Sequence, residues 1–122
     1  MQRGGAVGEF VEAGAARDLP EGKMRAVNIK GRAILLARVG NQYYAADDRC
    51  PHFGARLSEG RLEGVMLTCP RHGSQFDLRD GRVLKWTDFP GPVAAAGKIF
   101  KRPRPLTLYP VKRDGDRLLV QL

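Results

Sequence analysis

The 122-residue chain contains two cysteines and two histidines, and all four fall into two short clusters. Cys50-Pro51-His52 is the first and Cys69-Pro70-Arg71-His72 the second, with sixteen residues between His52 and Cys69. Thiolate and imidazole are soft and borderline ligands suited to transition metals. A structural disulfide between the only two cysteines fits a reducing compartment poorly, and a stapled secreted scaffold needs more cysteines than two. Two ligands from each of two loops make one four-ligand set. Such a set suits a tetrahedral structural zinc ion or a [2Fe–2S] cluster with mixed sulfur and nitrogen ligation.

The residues around the four ligands separate these two. Leu57-Ser58-Glu59-Gly60 follows the first pair, then Leu62 and Gly64. The second pair opens Cys69-Pro70-Arg71-His72-Gly73-Ser74-Gln75-Phe76-Asp77, with Gly81 at the next turn. This pattern resembles the Rieske iron–sulfur family, strongly over residues 42 to 85 and loosely in the flanks. The resemblance implies that Cys50 and Cys69 hold one iron, that His52 and His72 hold the other, and that the histidine ring edges are the exit for the electron. It further implies a single domain over residues 1–122, with a cluster-binding part at about 46–86. Gly54, Gly73, Ser74, Phe76 and Pro92 would surround the cluster. Pro92, in Gly91-Pro92-Val93, corresponds to a third loop covering it, and Pro51 and Pro70 stiffen the ligand loops.

Such a centre has a definite electrostatic character. Two ferric ions, two sulfides and two thiolates sum to zero charge, so an added electron meets less repulsion than in a four-thiolate cluster. Rieske potentials accordingly lie at about −150 to +300 mV, against about −400 mV for plant-type ferredoxins. Histidine ligation also implies a potential that falls with rising pH in the alkaline range. In the respiratory members a Ser and a Tyr donate hydrogen bonds to cluster sulfur. Here Ser74 fills the first position and Phe76, without a hydroxyl, the second. The disulfide of those members would need cysteines at Ala55 and Arg71. The chain therefore resembles the ferredoxin branch, with a low to intermediate potential and a Ser74 hydroxyl expected on sulfur.

The elements that must hold these loops read as short strands. Phe10-Val11, Lys23–Lys30, Ala33–Val39, Gln42–Ala46, Val65–Thr68, Gln75–Leu78, Val83–Trp86, Leu106–Lys112 and Arg117–Leu122 are the candidates. Turns are expected at Gly40-Asn41, Arg79–Arg82 and Arg113–Asp116. Fifteen Gly and eight Pro argue against long helices; Pro92–Ile99 is the one weak helical segment. Regular short strands predict an all-β fold, a small antiparallel sandwich or barrel with a two-loop cluster-binding subdomain, Rieske-like in architecture.

Length and composition limit the function. At 122 residues the chain has no room for a separate catalytic iron domain, and no second metal constellation remains once the four ligands are used. It reads as an electron carrier, not an enzyme, passing single electrons from a reductase to an oxygenase or related oxidoreductase. Alternatives are a small Rieske subunit of a complex such as nitrite reductase, and a structural zinc module. No apolar run reaches the ~18 residues of a membrane span and no signal peptide is visible, so a cytoplasmic location is expected. The net charge of +8 concentrates between Lys85 and Arg113, densest from Lys98 to Arg104. It suits a solvated basic face or docking to an acidic redox partner. Nucleic-acid binding is not expected, because no interleaved aromatic platform accompanies the charge.

Overall fold

The computed structural model describes residues 9–51, 54–71, 73–86 and 104–122. It is all-β, as expected: the described residues contain no α-helix. The strands are β1 (Phe10–Ala15), β2 (Met24–Ile29), β3 (Arg32–Val39), β4 (Gln42–Asp47), β5 (Arg61–Glu63), β6 (Met66–Thr68), β7 (Gln75–Asp77), β8 (Val83–Lys85), β9 (Leu108–Tyr109), β10 (Val111–Asp114) and β11 (Arg117–Gln121). They form three antiparallel sheets, ordered β1-β11-β10, β2-β3-β4-β9 and β5-β6-β7-β8.

The second sheet is the middle layer, and β3 shows why. Ile34, Leu35, Leu36 and Ala37 are all buried. Successive side chains on a strand point to opposite faces, so this apolar run serves two cores. Ile34 and Leu36 pack with Ala45, Leu118 and Val120 toward the first sheet. Leu35 and Ala37 pack with Ala46, Leu57, Leu67 and Phe76 toward the third. Cys50 and Cys69 lie in that second core. Lys30 (φ 52°) and Gly31 (φ 83°) connect β2 to β3 as the two left-handed central residues of a type I′ hairpin.

Three expectations need correction. Arg61–Glu63 is a strand, paired with β6 through Leu62↔Leu67, although three residues are too few to show a period. Leu106–Lys112 is not one strand. Pro110 divides it: β9 joins β4 through Ala45↔Tyr109, while β10 joins β11 through Val111↔Val120. Proline has no N–H to continue a ladder, but its carbonyl still accepts the Gln121 amide at 3.0 Å. Finally, Asp114 pairs with Arg117, which makes Gly115-Asp116, not Asp114-Gly115, the centre of that turn. The helical candidate Pro92–Ile99 and the loop at Gly91-Pro92-Val93 lie outside the described residues.

The strand entering β9 links the middle sheet to the third. The Asp47 amide donates to the Thr107 carbonyl at 3.0 Å, extending the β4–β9 pairing, and the Leu106 amide donates to the Gly81 carbonyl of the third sheet at 2.8 Å. Gly81 has φ 80°, and a Cβ there would lie 2.3 Å from the Leu106 carbonyl oxygen. Only glycine permits this approach.

Candidate metal centre

The two cysteines open turns of the same construction. The Cys50 amide donates to the Ala55 carbonyl at 2.8 Å, and the Cys69 amide to the Ser74 carbonyl at 2.7 Å. Each turn therefore closes from residue i to residue i+5. Each cysteine is followed by proline, and a glycine stands four positions on: Gly54 with φ 75° and Gly73 with φ 73°. That left-handed conformation is costly for other residues. The Gly54 amide also donates back to the Cys50 carbonyl at 2.8 Å.

Buried polar groups brace the turns. Asp48 is fully buried. Its carboxylate accepts the Ser58 amide at 2.7 Å and the Ser58 hydroxyl at 2.8 Å, and Arg56 Nε stands 3.5 Å away. The Asp48 carbonyl takes the Leu57 amide at 3.0 Å, so this one residue ties the chain on both sides of the Cys50 turn. Gly60 joins the two turns. A Cβ at Gly60 would lie 1.9 Å from the Thr68 carbonyl oxygen, directly before Cys69. Beyond the Cys69 turn, Asp77 accepts the Arg79 guanidinium at 2.8 and 3.1 Å, the Arg79 amide at 2.8 Å and Arg82 at 3.4 Å. The Arg79 side-chain bond, then its amide bond, holds the Asp77 pKa down to about 2 against the opposing effect of burial.

The expected site residues divide as follows. Cys50 and Cys69 are both buried, 2% and 4% exposed, and share a core with Phe76. Neither is in a disulfide. Gly54, Gly73 and Ser74 lie in the two turns. His52, His72 and Pro92 are outside the described residues. The Ser74 hydroxyl donates to the Trp86 carbonyl, which ties the Cys69 turn to the end of the third sheet. The sequence reading missed Asp48, whose only local signal is Ser58 ten residues on. It also missed the Gly60–Thr68 contact, which is long-range and has no local signal.

This arrangement fits a metal centre. Two thiols from separate turns enter one apolar core without bridging, and burying thiolates there is costly unless a cation compensates them. Among the described residues no group of three His, Cys, Asp or Glu could hold a metal ion elsewhere, and the two cysteines are the only candidate ligands these residues bring into one core.

The Rieske [2Fe-2S] domain family matches residues 9–103. The ferredoxin component of a naphthalene 1,2-dioxygenase system from Pseudomonas aeruginosa is 34% identical over 114 residues, covering 93% of this chain and 96% of that protein. The ferredoxin component of the naphthalene 1,2-dioxygenase/salicylate 5-hydroxylase systems of a Ralstonia species is 39% identical over 113 residues, covering 93% and 95%. Among solved structures, the ferredoxin of carbazole 1,9a-dioxygenase from Nocardioides aromaticivorans IC177 superposes with a TM-score of 0.74 at 25% identity, covering 91% of this chain and 95% of that one. A chain in the complex of reduced oxygenase and oxidised ferredoxin of carbazole 1,9a-dioxygenase gives 0.74 at 30% identity, covering 91% of each.

A layered antiparallel β fold with two matched cysteine turns defines an iron–sulfur electron-transfer protein. The chain belongs to the Rieske [2Fe–2S] domain family, and its cofactor is that family's [2Fe–2S] cluster, which decides against structural zinc. The curated relatives named above are ferredoxin components of dioxygenase systems, not the catalytic enzymes themselves.

Proposed function

We propose that this chain is the ferredoxin of an oxygenase system, accepting single electrons from a reductase and delivering them to the oxygenase. In this reading residues 1–122 are one Rieske domain, soluble and cytoplasmic, with its cluster-binding part at about 46–86. Cys50 and Cys69 are the thiolate ligands to one iron, and His52 and His72 the imidazole ligands to the other. When bound, the cluster supplies a one-electron couple. The protein's part is to hold both ligand turns in one geometry through either oxidation state. The i to i+5 hydrogen bonds, the left-handed glycines and the Asp48 brace stiffen the turns, and stiff ligand turns reorganise little. Leu57, Leu67 and Phe76 keep water from the thiolate side.

The observation that carries the reading is the matched pair of turns, each opening on a buried cysteine of one core. Among the described residues no helix is long and apolar enough to cross a membrane. The test is direct. The purified chain should be red-brown, hold two irons and two sulfides, and give a paramagnetic signal only after reduction. It should also carry electrons from a dioxygenase-system reductase to its oxygenase. His72→Ala should lose the cluster signal. A colourless wild-type chain, or one that the reductase cannot reduce, would refute the proposal.

A further inference from the structure

Arginines stand on both sides of the cysteine turns. Arg49 and Arg104 line a groove of about 410 Å³ with Cys50, Pro51 and Gly54. Arg61 and Arg71 line another, of about 320 Å³, with Cys69, Pro70 and Gly73. All four are exposed. Arg104 is anchored at the turn, its Nη2 donating to the Pro51 carbonyl at 3.3 Å. Among the described residues none of the four has a carboxylate within 4.0 Å, whereas Arg56, beside the same turn, is ion-paired with the buried Asp48. Each groove holds one carboxylate, Asp47 or Glu59. Asp47 is already engaged, accepting the Tyr109 hydroxyl at 2.6 Å.

Among the described residues, then, four exposed guanidinium groups outnumber the two carboxylates in the grooves beside the cysteine turns, where the electron must leave. Their planar donor forks match carboxylates, and a net charge of +8 would steer an acidic protein toward them. We propose that Arg49, Arg61, Arg71 and Arg104 form a docking collar for an acidic face of the redox partner. Its carboxylate side chains enter the two grooves, which brings the partner's own centre to the cysteine turns. The inference rests on the electron-carrier reading and adds to it the chemistry and position of the contact.

Poly-L-glutamate serves as the acidic probe. The reduced, iron-loaded protein is mixed with hexacyanoferrate(III) at low ionic strength, with and without the polymer, and reoxidation is followed by visible absorbance. Poly-L-glutamate should slow wild-type oxidation by about fivefold or more. That slowing should be largely lost in Arg49→Gln/Arg71→Gln and in Arg61→Gln/Arg104→Gln. It should persist in Lys112→Gln/Arg113→Gln, which removes two charges from the distant outer sheet. Equal loss in all three pairs, or no slowing of the wild type, would overturn the collar. Binding to phosphatidylserine vesicles with no response to polyglutamate would assign the arginines to a lipid surface and also overturn it. Iron content is measured first. A chain without iron defeats the electron-carrier reading, whereas a loaded chain indifferent to polyglutamate defeats the collar alone.

Discussion

Gly60→Ala should empty the cluster site from a position that carries no ligand. The new Cβ would be built 1.9 Å from the Thr68 carbonyl oxygen, whereas real Cβ contacts stay beyond 3.0 Å, so the two must separate by about 1.1 Å. The opposing atom is backbone and cannot rotate away. The end of β6 must move, and the Cys69 amide, held at 2.7 Å by the Ser74 carbonyl, moves with it. Functional sites tolerate about 0.5 Å of misplacement. The strain and the weakened bonds should cost about 2–4 kcal/mol, a fall in Tm of roughly 8–15 °C for a chain of this size. The assay is iron per chain and visible absorbance relative to protein, with Tm by circular dichroism. Gly64→Ala is the control. Its φ of 58° makes alanine strained, but a Cβ there meets nothing within 4 Å. It should lose about 1 kcal/mol and keep its iron. Full iron content in Gly60→Ala, or equal iron loss in both variants, would refute the reasoning.

Three further outcomes follow from the bracing groups. Asp48→Ala strands the Ser58 amide and hydroxyl in a buried place and should cost about 2–4 kcal/mol by urea denaturation. Ser58→Ala should cost less, and the two should couple in a double-mutant cycle; strict additivity would dismiss the brace. Asp77 has a folded pKa of about 2, below its ordinary 3.8. Its stabilising contribution is therefore complete above about pH 4 and vanishes as the pH falls toward 2. Asp77→Asn should flatten the stability profile across that window, and a profile parallel to wild type would contradict the ion-pair account. Ser74→Ala removes the tie to the Trp86 carbonyl and should lower the unfolding free energy by about 1–2 kcal/mol; an unchanged value in urea denaturation would show that the bond contributes nothing.

The ligand clusters and most strands were legible because their signals are local. Cys and His spacing is counted along the chain, and the Gly40-Asn41 turn lies between runs of clear β character, which pair as Val39↔Gln42. What was hidden is what depends on distance in sequence. That the buried run of β3 faces two cores follows from layers packed on both sides, which the run alone does not reveal. Leu106–Lys112 read as one strand, because the change of sheet at Pro110 depends on β4 and β11. The Ser74 hydroxyl's bond to the Trp86 carbonyl, twelve residues on, had no local signal either.

One connection bears on how this protein could change. The chain leaves the middle sheet after Asp47 and re-enters at Thr107, where the two meet in a single hydrogen bond of 3.0 Å and their strands run side by side. Departure and return share one doorway. The chain between them is thus an excursion from a base that meets it along one buried face, where Leu35, Ala37 and Ala46 pack with Leu57, Leu67 and Phe76. Heads from related carriers could be exchanged at Asp47 and Thr107 if they kept that apolar face, so that potential and partner choice could evolve on the far side of it.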